Sequence, residues 1–399
     1  MKKLMLLGGS RYIIPVIRKA HELGIYVITC DYLPDNIAHK YSDEYINVSI
    51  VDMDAVLKVA TDAQIDGIMS FAADPGVVTA AYVAEKMNLP FCGSYKSVSI
   101  LQNKGKFRQF LKQNGFNVPE HGSYSTIDEA MNDISKFTFP VIVKPVDSAG
   151  SKGVTRVNSV NELEIAVEYA LNYTLSGDFI IEEFIEKHGF SSDSDGFSDN
   201  GKFTYVSFSD QYFDDTAKNP YTPAAYCWPP TMNVKMQEHL RGELQRLADL
   251  LNLKTSIYNI ETRVGTNGKS YIMEVSPRGG GNRLSEMLEI VSGTDIISTA
   301  IKAAVGLEYD ALSQPVYKGY LSEIILHSQR SGNFVRLDIA DELKSAIKEI
   351  DLWVKKGDTI EEFGGANNTI GTLVAIFDSK HEQEYVMKNI DKFISVIVE

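Results

Sequence analysis

Cysteine is scarce in this chain of 399 residues, which has only Cys30, Cys92 and Cys227. The three are far apart, so they form neither a zinc-ligand spacing nor a disulfide framework, and they predict a reducing, cytoplasmic setting. Long apolar runs are missing too: nothing reaches the roughly 18 residues that a membrane-spanning helix needs. The opening MKKLMLLGG has only a short apolar stretch before a glycine turn, and it reads as a buried strand rather than a secretory leader. No dense Lys/Arg block occurs. The balance of 39 basic against 53 acidic residues gives a net charge of −14. Such a surface repels nucleic acid and anionic membranes, which leaves small molecules as the expected partners. Internal repeats and low-complexity tracts are absent, and Ser191 to Gly196 (SSDSDG) reads as a loop or a polar edge strand.

Two phosphate-binding fingerprints are also missing. The first turn, LLGGSRYIIP, is not G-x-G-x-x-G, and no segment has the Walker spacing. The first turn therefore predicts a tight strand-to-helix connection and no cofactor.

The length suits about two or three domains. Residues 1 to about 100 alternate strand and helix signals, with strands at Leu4 to Leu7, Tyr26 to Cys30, Gly67 to Phe71 and Leu89 to Cys92. This predicts an α/β domain on a small parallel sheet. From about 101 to 305 the pattern is that of an α+β body. A helix spans Lys104 to Gln113, strands arrive in antiparallel-looking groups, and Ser159-Val160-Asn161-Glu162 reads as a capping box. Residues 306–399 alternate strands and helices again and predict a smaller α+β unit.

Three segments carry chemistry. In SIYNIETRVGTNGKSYIMEVSPRGGGNRL, residues 256–284, Asn267-Gly268 between two alternating runs predicts a two-residue hairpin turn. That register sets Glu261 opposite Glu274 and Asn259 opposite Ser276, with Arg263 on the same face. Tyr258, Ile260, Val264, Tyr271, Met273 and Val275 form the core face. Opposed carboxylates repel, and a divalent cation with hard oxygen ligands would remove that cost; neutralisation by Arg263 is the alternative. Beyond Pro277, Arg278, the glycines 279–281 and a helix cap at Asn282 suggest an anion site. On the extended register Arg278 would oppose Ile257, with an ion pair to Glu286 as its structural alternative.

In PVIVKPVDSAGSKGV, residues 140–154, Lys144 lies on a strand that leads into Ser148-Ala149-Gly150-Ser151-Lys152-Gly153. The segment is either a phosphate-wrapping loop or an ordinary flexible hairpin. DFIIEEFIE, residues 178–186, is an apolar strand whose backbone could offer hydrogen bonds to a base edge, or an ordinary edge strand.

In this order and spacing the segments resemble the ATP-grasp superfamily over roughly residues 1–310. Carboxylate–amine ligases are nearest in texture, and biotin carboxylase and carbamoyl phosphate synthetase halves are more distant. The resemblance implies an ATP-grasp body with a lid at about 116–185. It implies that Lys104, Lys144 and the loop residues Ser148, Gly150, Ser151 and Gly153 grip phosphates. Glu182, Glu183, Phe184 and Ile185 would line the adenine, and Glu261 and Glu274 would hold magnesium, for which manganese could substitute. Ser276 stands where many members have an asparagine ligand. Gly189 stands where a glutamate often holds the ribose, which leaves Glu186 or His188 for that contact. Arg278 would bind the reacting carboxylate. The activity implied is ATP-dependent joining of a small-molecule carboxylate to an amine, with Lys144 and Arg278 as catalytic groups. A carboxylase, a carbamoyl-phosphate-type enzyme and a silent nucleotide-binding protein are the alternatives. The resemblance also allows a homodimer.

Overall fold

The computed structural model describes residues 1–399. The N-terminal sheet is parallel, in the order Glu44–Ile46, Tyr26–Cys30, Lys3–Leu7, Gly67–Ser70. Tyr26–Cys30, Lys3–Leu7 and Gly67–Ser70 are almost fully buried, as expected of a sheet covered by helices on its faces, whereas the edge strand Glu44–Ile46 is not. The first turn is the tight connection that was expected. A Cβ at Gly9 would lie 2.5 Å from the His39 ring, so the close approach needs glycine. Leu89 to Cys92 is not a strand; its residues run as irregular chain into the helix Tyr95–Gln102.

The helix Lys104–Gln113 follows, capped by the Asn103 side chain. It leads to an antiparallel sheet of His121–Tyr124, Phe179–Glu183, Val141–Pro145 and Thr155–Val157. This sheet and its helices have their own core, which includes Tyr124, Val141, Val143, Leu163 and Ile181. The capping box expected at Ser159 is incomplete: Glu162 reaches back to the Asn158 N–H, and the Ser159 hydroxyl bonds Glu162 rather than the backbone. A complete one stands at Thr126 and Glu129.

The next sheet orders Lys202–Val206, Ser192–Asp199, Ser256–Val264 and Ser270–Ser276. Ser191 to Gly196 is therefore mostly an inner strand, not a loop or an edge. Most of its polar side chains are bonded: Ser192 Oγ accepts from the Ser209 N–H, and Asp193 and Asp195 accept from Asn259 on the next strand, while the buried Ser194 hydroxyl has no partner. A three-stranded antiparallel sheet orders Thr359–Ile360, Gly332–Ile339 and Ile394–Val398, and a last antiparallel sheet orders Asp210–Phe213, Pro223–Trp228, Tyr320–Leu326, Gly371–Phe377 and Ile347–Leu352. The largest core cluster joins this sheet to the N-terminal sheet through Leu6, Ile17, Leu284, Leu288, Leu321 and Val374. No helix is long and apolar enough to cross a membrane.

Candidate functional site

The hairpin Ser256–Val264 with Ser270–Ser276 sets Glu261 opposite Glu274 and Asn259 opposite Ser276, as expected, but by a different route. The connection is Thr266-Asn267-Gly268, closed by the Gly265 N–H on the Lys269 carbonyl at 2.8 Å. Pairs near the turn are shifted by one residue, and a bulge at Met273 restores the register. The bulge also turns Met273 away from the core and puts Ile272 in its place. The Met273 carbonyl accepts from Arg108 Nη1 at 2.8 Å.

The strand Ser192–Asp199 extends this face. Asp193 lies opposite Glu261 and Asp195 opposite Asn259, so two polar rows cross three strands: Asp193–Glu261–Glu274 and Asp195–Asn259–Ser276. Burial pushes Glu261 above the ordinary carboxylate range; Arg263, with Nη2 3.9 Å from Oε1, offsets only part of this, and Glu274 adds to it. Burial and the Glu261 charge push Asp193 up to about 7. Arg263 and Lys104, at 3.9 and 3.7 Å, offset this charge only in part, and the Glu261–Glu274 pair offers the hard oxygens that a divalent cation takes.

The second row is committed elsewhere. The Ser276 hydroxyl accepts from Gln102 Nε2 and donates to Asp74 Oδ1, both at 2.8 Å, so a metal-ligand role for Ser276 is not what its geometry supports. Asp195 accepts from the Gly280 N–H at 2.9 Å and from the Ser285 hydroxyl. The glycine run therefore does not leave all its amides for an anion. A Cβ on Gly280 would meet Asp195 and Asn259 at 2.9 Å, which is why the turn can lie against the sheet. Asn282 is not the helix cap; Arg283 holds that position, and both are left-handed, with φ of 49° and 59°.

Arg278 lies beyond the ladder, which ends at Asn259–Ser276, so it does not oppose Ile257. Its partner is Asp74, in the turn after Gly67–Ser70: Nε–Oδ1 is 2.9 Å and Nη2–Oδ2 is 2.7 Å. Burial resists ionisation of Asp74, but the Arg278 charge outweighs it and holds the carboxyl below its usual range. Glu286, the expected alternative partner, is bound by Arg283.

Lys104 Nζ donates to the Ser148 carbonyl at 2.8 Å and lies 3.7 Å from Glu274 Oε2. It thus connects the glycine-rich loop to the carboxylate row. Lys144 Nζ is 2.7 Å from Glu182 Oε2, while Arg108 Nε is 2.7 Å from Glu182 Oε1. Glu182 is 2% exposed, so its side chain is an internal counter-ion and does not line a base pocket. Burial opposes its charge, yet Arg108 and Lys144 hold the carboxyl down at about 2. Two cations share one carboxylate, and burial draws the Lys144 ammonium below its ordinary range. The excess positive charge suits a phosphate.

The loop is left-handed at Gly150, Ser151 and Gly153. Ser151 Oγ donates to the Tyr221 carbonyl at 2.8 Å, and Asn219 Nδ2 donates to the Ser151 carbonyl at 3.1 Å. At the end of the strand Phe179–Glu183, the Glu183 and Phe184 N–H groups are taken by the Glu120 and Pro140 carbonyls. The Ile185 carbonyl accepts from Arg263 Nη1 at 3.4 Å, and its N–H makes no bond within the chain.

Asp74, Arg108, Asp193 and Asp195 were not anticipated. The alternation in Ser192-Asp193-Ser194-Asp195 is a strand signature with both acids on one face, and Arg108 follows Lys104 by one helical turn; these signals could have found three of them. Nothing local marks Asp74.

Residues 137–286 match the ATP-grasp domain family. The carbamoyl phosphate synthase large chain of Thermotoga petrophila is 24% identical over 324 residues, which cover 80% of this chain but 28% of that protein. The chain thus spans little more than a quarter of that relative's length. A solved L-amino acid ligase from Bacillus licheniformis superposes with a TM-score of 0.80 at 22% identity, covering 100% of this chain and 99% of that one. A phosphoribosylglycinamide synthetase from Anaerococcus prevotii superposes with a TM-score of 0.74 at 21% identity, covering both chains fully. The match of residues 137–286 to the ATP-grasp domain family and the fold shared with these solved structures point to the same architecture.

Proposed function

We propose that the chain is an ATP-dependent carboxylate–amine ligase that forms a C–N bond and releases ADP and phosphate. The observation that carries this reading is the row Glu261–Glu274, with Lys104 reaching both Glu274 and the glycine-rich loop. The similarity to an L-amino acid ligase supports the same reading.

In this reading residues 1–100, 101–305 and 306–399 are the three units, and about 116–185 is a lid. Lys104, Lys144, Ser148, Gly150, Ser151 and Gly153 hold the ATP phosphates. The backbone from Glu183 to Ile185 meets the adenine, with Phe184 alongside. Glu261 and Glu274 would hold magnesium, which neutralises phosphate charge when bound. Arg278, fixed by Asp74, keeps guanidinium N–H donors for the substrate carboxylate. A carboxylate oxygen bonds the γ-phosphorus as the bond to ADP breaks. The amine nitrogen then bonds the acyl carbon, phosphate leaves, and the nitrogen loses a proton. A closed lid keeps water from the acyl phosphate.

The test is phosphate release from ATP and magnesium against amino acids, small carboxylates and bicarbonate, singly and in pairs. The reading expects an acid–amine pair to drive release. Release driven by bicarbonate would favour carboxylation or carbamoyl-phosphate chemistry, and release with no added carboxylate requirement would end the ligase reading.

A further inference from the structure

One row of the last sheet runs Gln211, Tyr226, Glu323, Val374, Glu349, each residue directly opposite the next, so all five side chains share a face. Glu323 is at its centre. It is 0% exposed, and neither carboxylate oxygen has a hydrogen-bond partner. Buried polar groups are nearly always satisfied, so an orphaned carboxylate needs a reason.

No neighbouring cation supplies one. Arg283 is held by Glu349 at 2.9 Å, by Glu286 at 3.3 Å and by the Thr372 hydroxyl at 3.0 Å. The acids around it outnumber Arg283. Burial pushes Glu323 well above the ordinary range; Arg283 lowers it only in part, and Glu286 and Glu349 raise it further. The Asn282-Arg283 backbone facing this row is left-handed at two successive non-glycine residues, a strain typical of functional sites.

The surroundings lead back to the reacting end. Tyr12 OH donates to Asn282 Oδ1 at 3.1 Å, Asn282 Nδ2 to Tyr226 OH at 3.2 Å, and Tyr226 OH to Asp193 Oδ2 at 3.1 Å. Asp193 stands opposite Glu261. Tyr226, directly opposite Glu323, therefore connects it to the acid that faces Glu261.

We propose that Glu323, beside Tyr12 and Tyr226, receives the ammonium group of an amino-acid substrate whose carboxylate is activated at the Arg278 end. This inference rests on the ligase reading. A primary ammonium carries the charge that the acid-rich face lacks and three N–H donors, enough for both Glu323 oxygens and a neighbouring oxygen. Neutral or purely anionic acids would leave the carboxylate orphaned.

The experiment measures phosphate release from magnesium ATP with each of the twenty common L-amino acids, then with the desamino acid matching the best of them. Wild type should prefer the amino acid at least about a hundredfold in kcat/KM. Glu323→Gln should raise KM for the amino acid at least about tenfold, leave MgADP affinity unchanged, and narrow the preference over the desamino acid. Binding of the amino acid to wild type should release a proton, seen as a dependence of calorimetric heat on buffer ionisation enthalpy, and that release should vanish in the variant. If Glu323→Gln fails to melt cooperatively, Tyr12→Phe takes its place, with a KM increase of about threefold. An unchanged KM, or equal use of the desamino acid by wild type, overturns the Glu323 site while the ligase reading stands. Failure of every carboxylate to stimulate release overturns both.

Discussion

Asp74 grips Arg278 through both carboxylate oxygens, at 2.9 and 2.7 Å, so the turn after an N-terminal strand fixes the guanidinium that follows the distant hairpin. The pair also takes in the Ser276 hydroxyl, which donates to the same Asp74 oxygen. Substrate orientation in the ligase reading therefore depends on two separate parts of the chain.

Arg278→Lys keeps the charge but loses the two-pronged geometry. It should lower turnover about a hundredfold, equivalent to about 3 kcal/mol of transition-state stabilisation, while MgADP still binds. Asp74→Asn should lower turnover by about tenfold with the arginine intact. Turnover per folded molecule, with melting temperature as the control, checks both. Variants that only melt earlier would make the pair structural.

Glu274→Gln should abolish phosphate release, and Glu261→Gln should reduce it at least about a hundredfold, with both proteins folded. A magnesium titration of Glu261→Gln should shift to higher concentration. Near-normal turnover of either variant at low magnesium would remove the metal assignment.

Much of this site could be read from the sequence, and the reasons are physical. Period-two alternation on both sides of Asn267 fixed which residues of the hairpin face each other. The expected two-residue turn was one residue too short, and the Met273 bulge cancelled the error before it reached Glu274. Lys104 was named through the resemblance, whereas Lys144 was read from its place on the strand before the small-residue loop. Glu182 was misplaced because its counter-ion Arg108 lies on a different element, and a strand pattern cannot show what its side chain meets. Asp74 and Glu323 were hidden for the same reason: each is a lone acid whose significance comes from partners, or their absence, across the fold.

Glu182 also predicts an acid limit to stability. Its carboxyl is held at about 2, below its ordinary 4.5, so its contribution is fully present above about 4.5 and is lost as pH falls towards 2. Glu182→Gln leaves Arg108 and Lys144 without their buried counter-ion, and it should destabilise the protein by about 3 kcal/mol at neutral pH. The gap in melting temperature from wild type should close progressively below pH 4.5. A gap constant with pH would mean that the variant acts through packing alone.

Hydrogen exchange in the loop 148–153 should slow on adding magnesium and a non-hydrolysable ATP analogue, because its left-handed residues and its contacts to Asn219 and Tyr221 place it at the edge of the proposed phosphate site. Unchanged exchange at saturating nucleotide would remove the lid.

The most direct test of the ligase reading follows an oxygen atom. The best acid substrate is labelled with oxygen-18 in its carboxylate and turned over with unlabelled ATP in unlabelled water. Activation through an acyl phosphate transfers one carboxylate oxygen to phosphate, so the account predicts one labelled oxygen in each phosphate released. Unlabelled phosphate, formed while the substrates are joined, would contradict it.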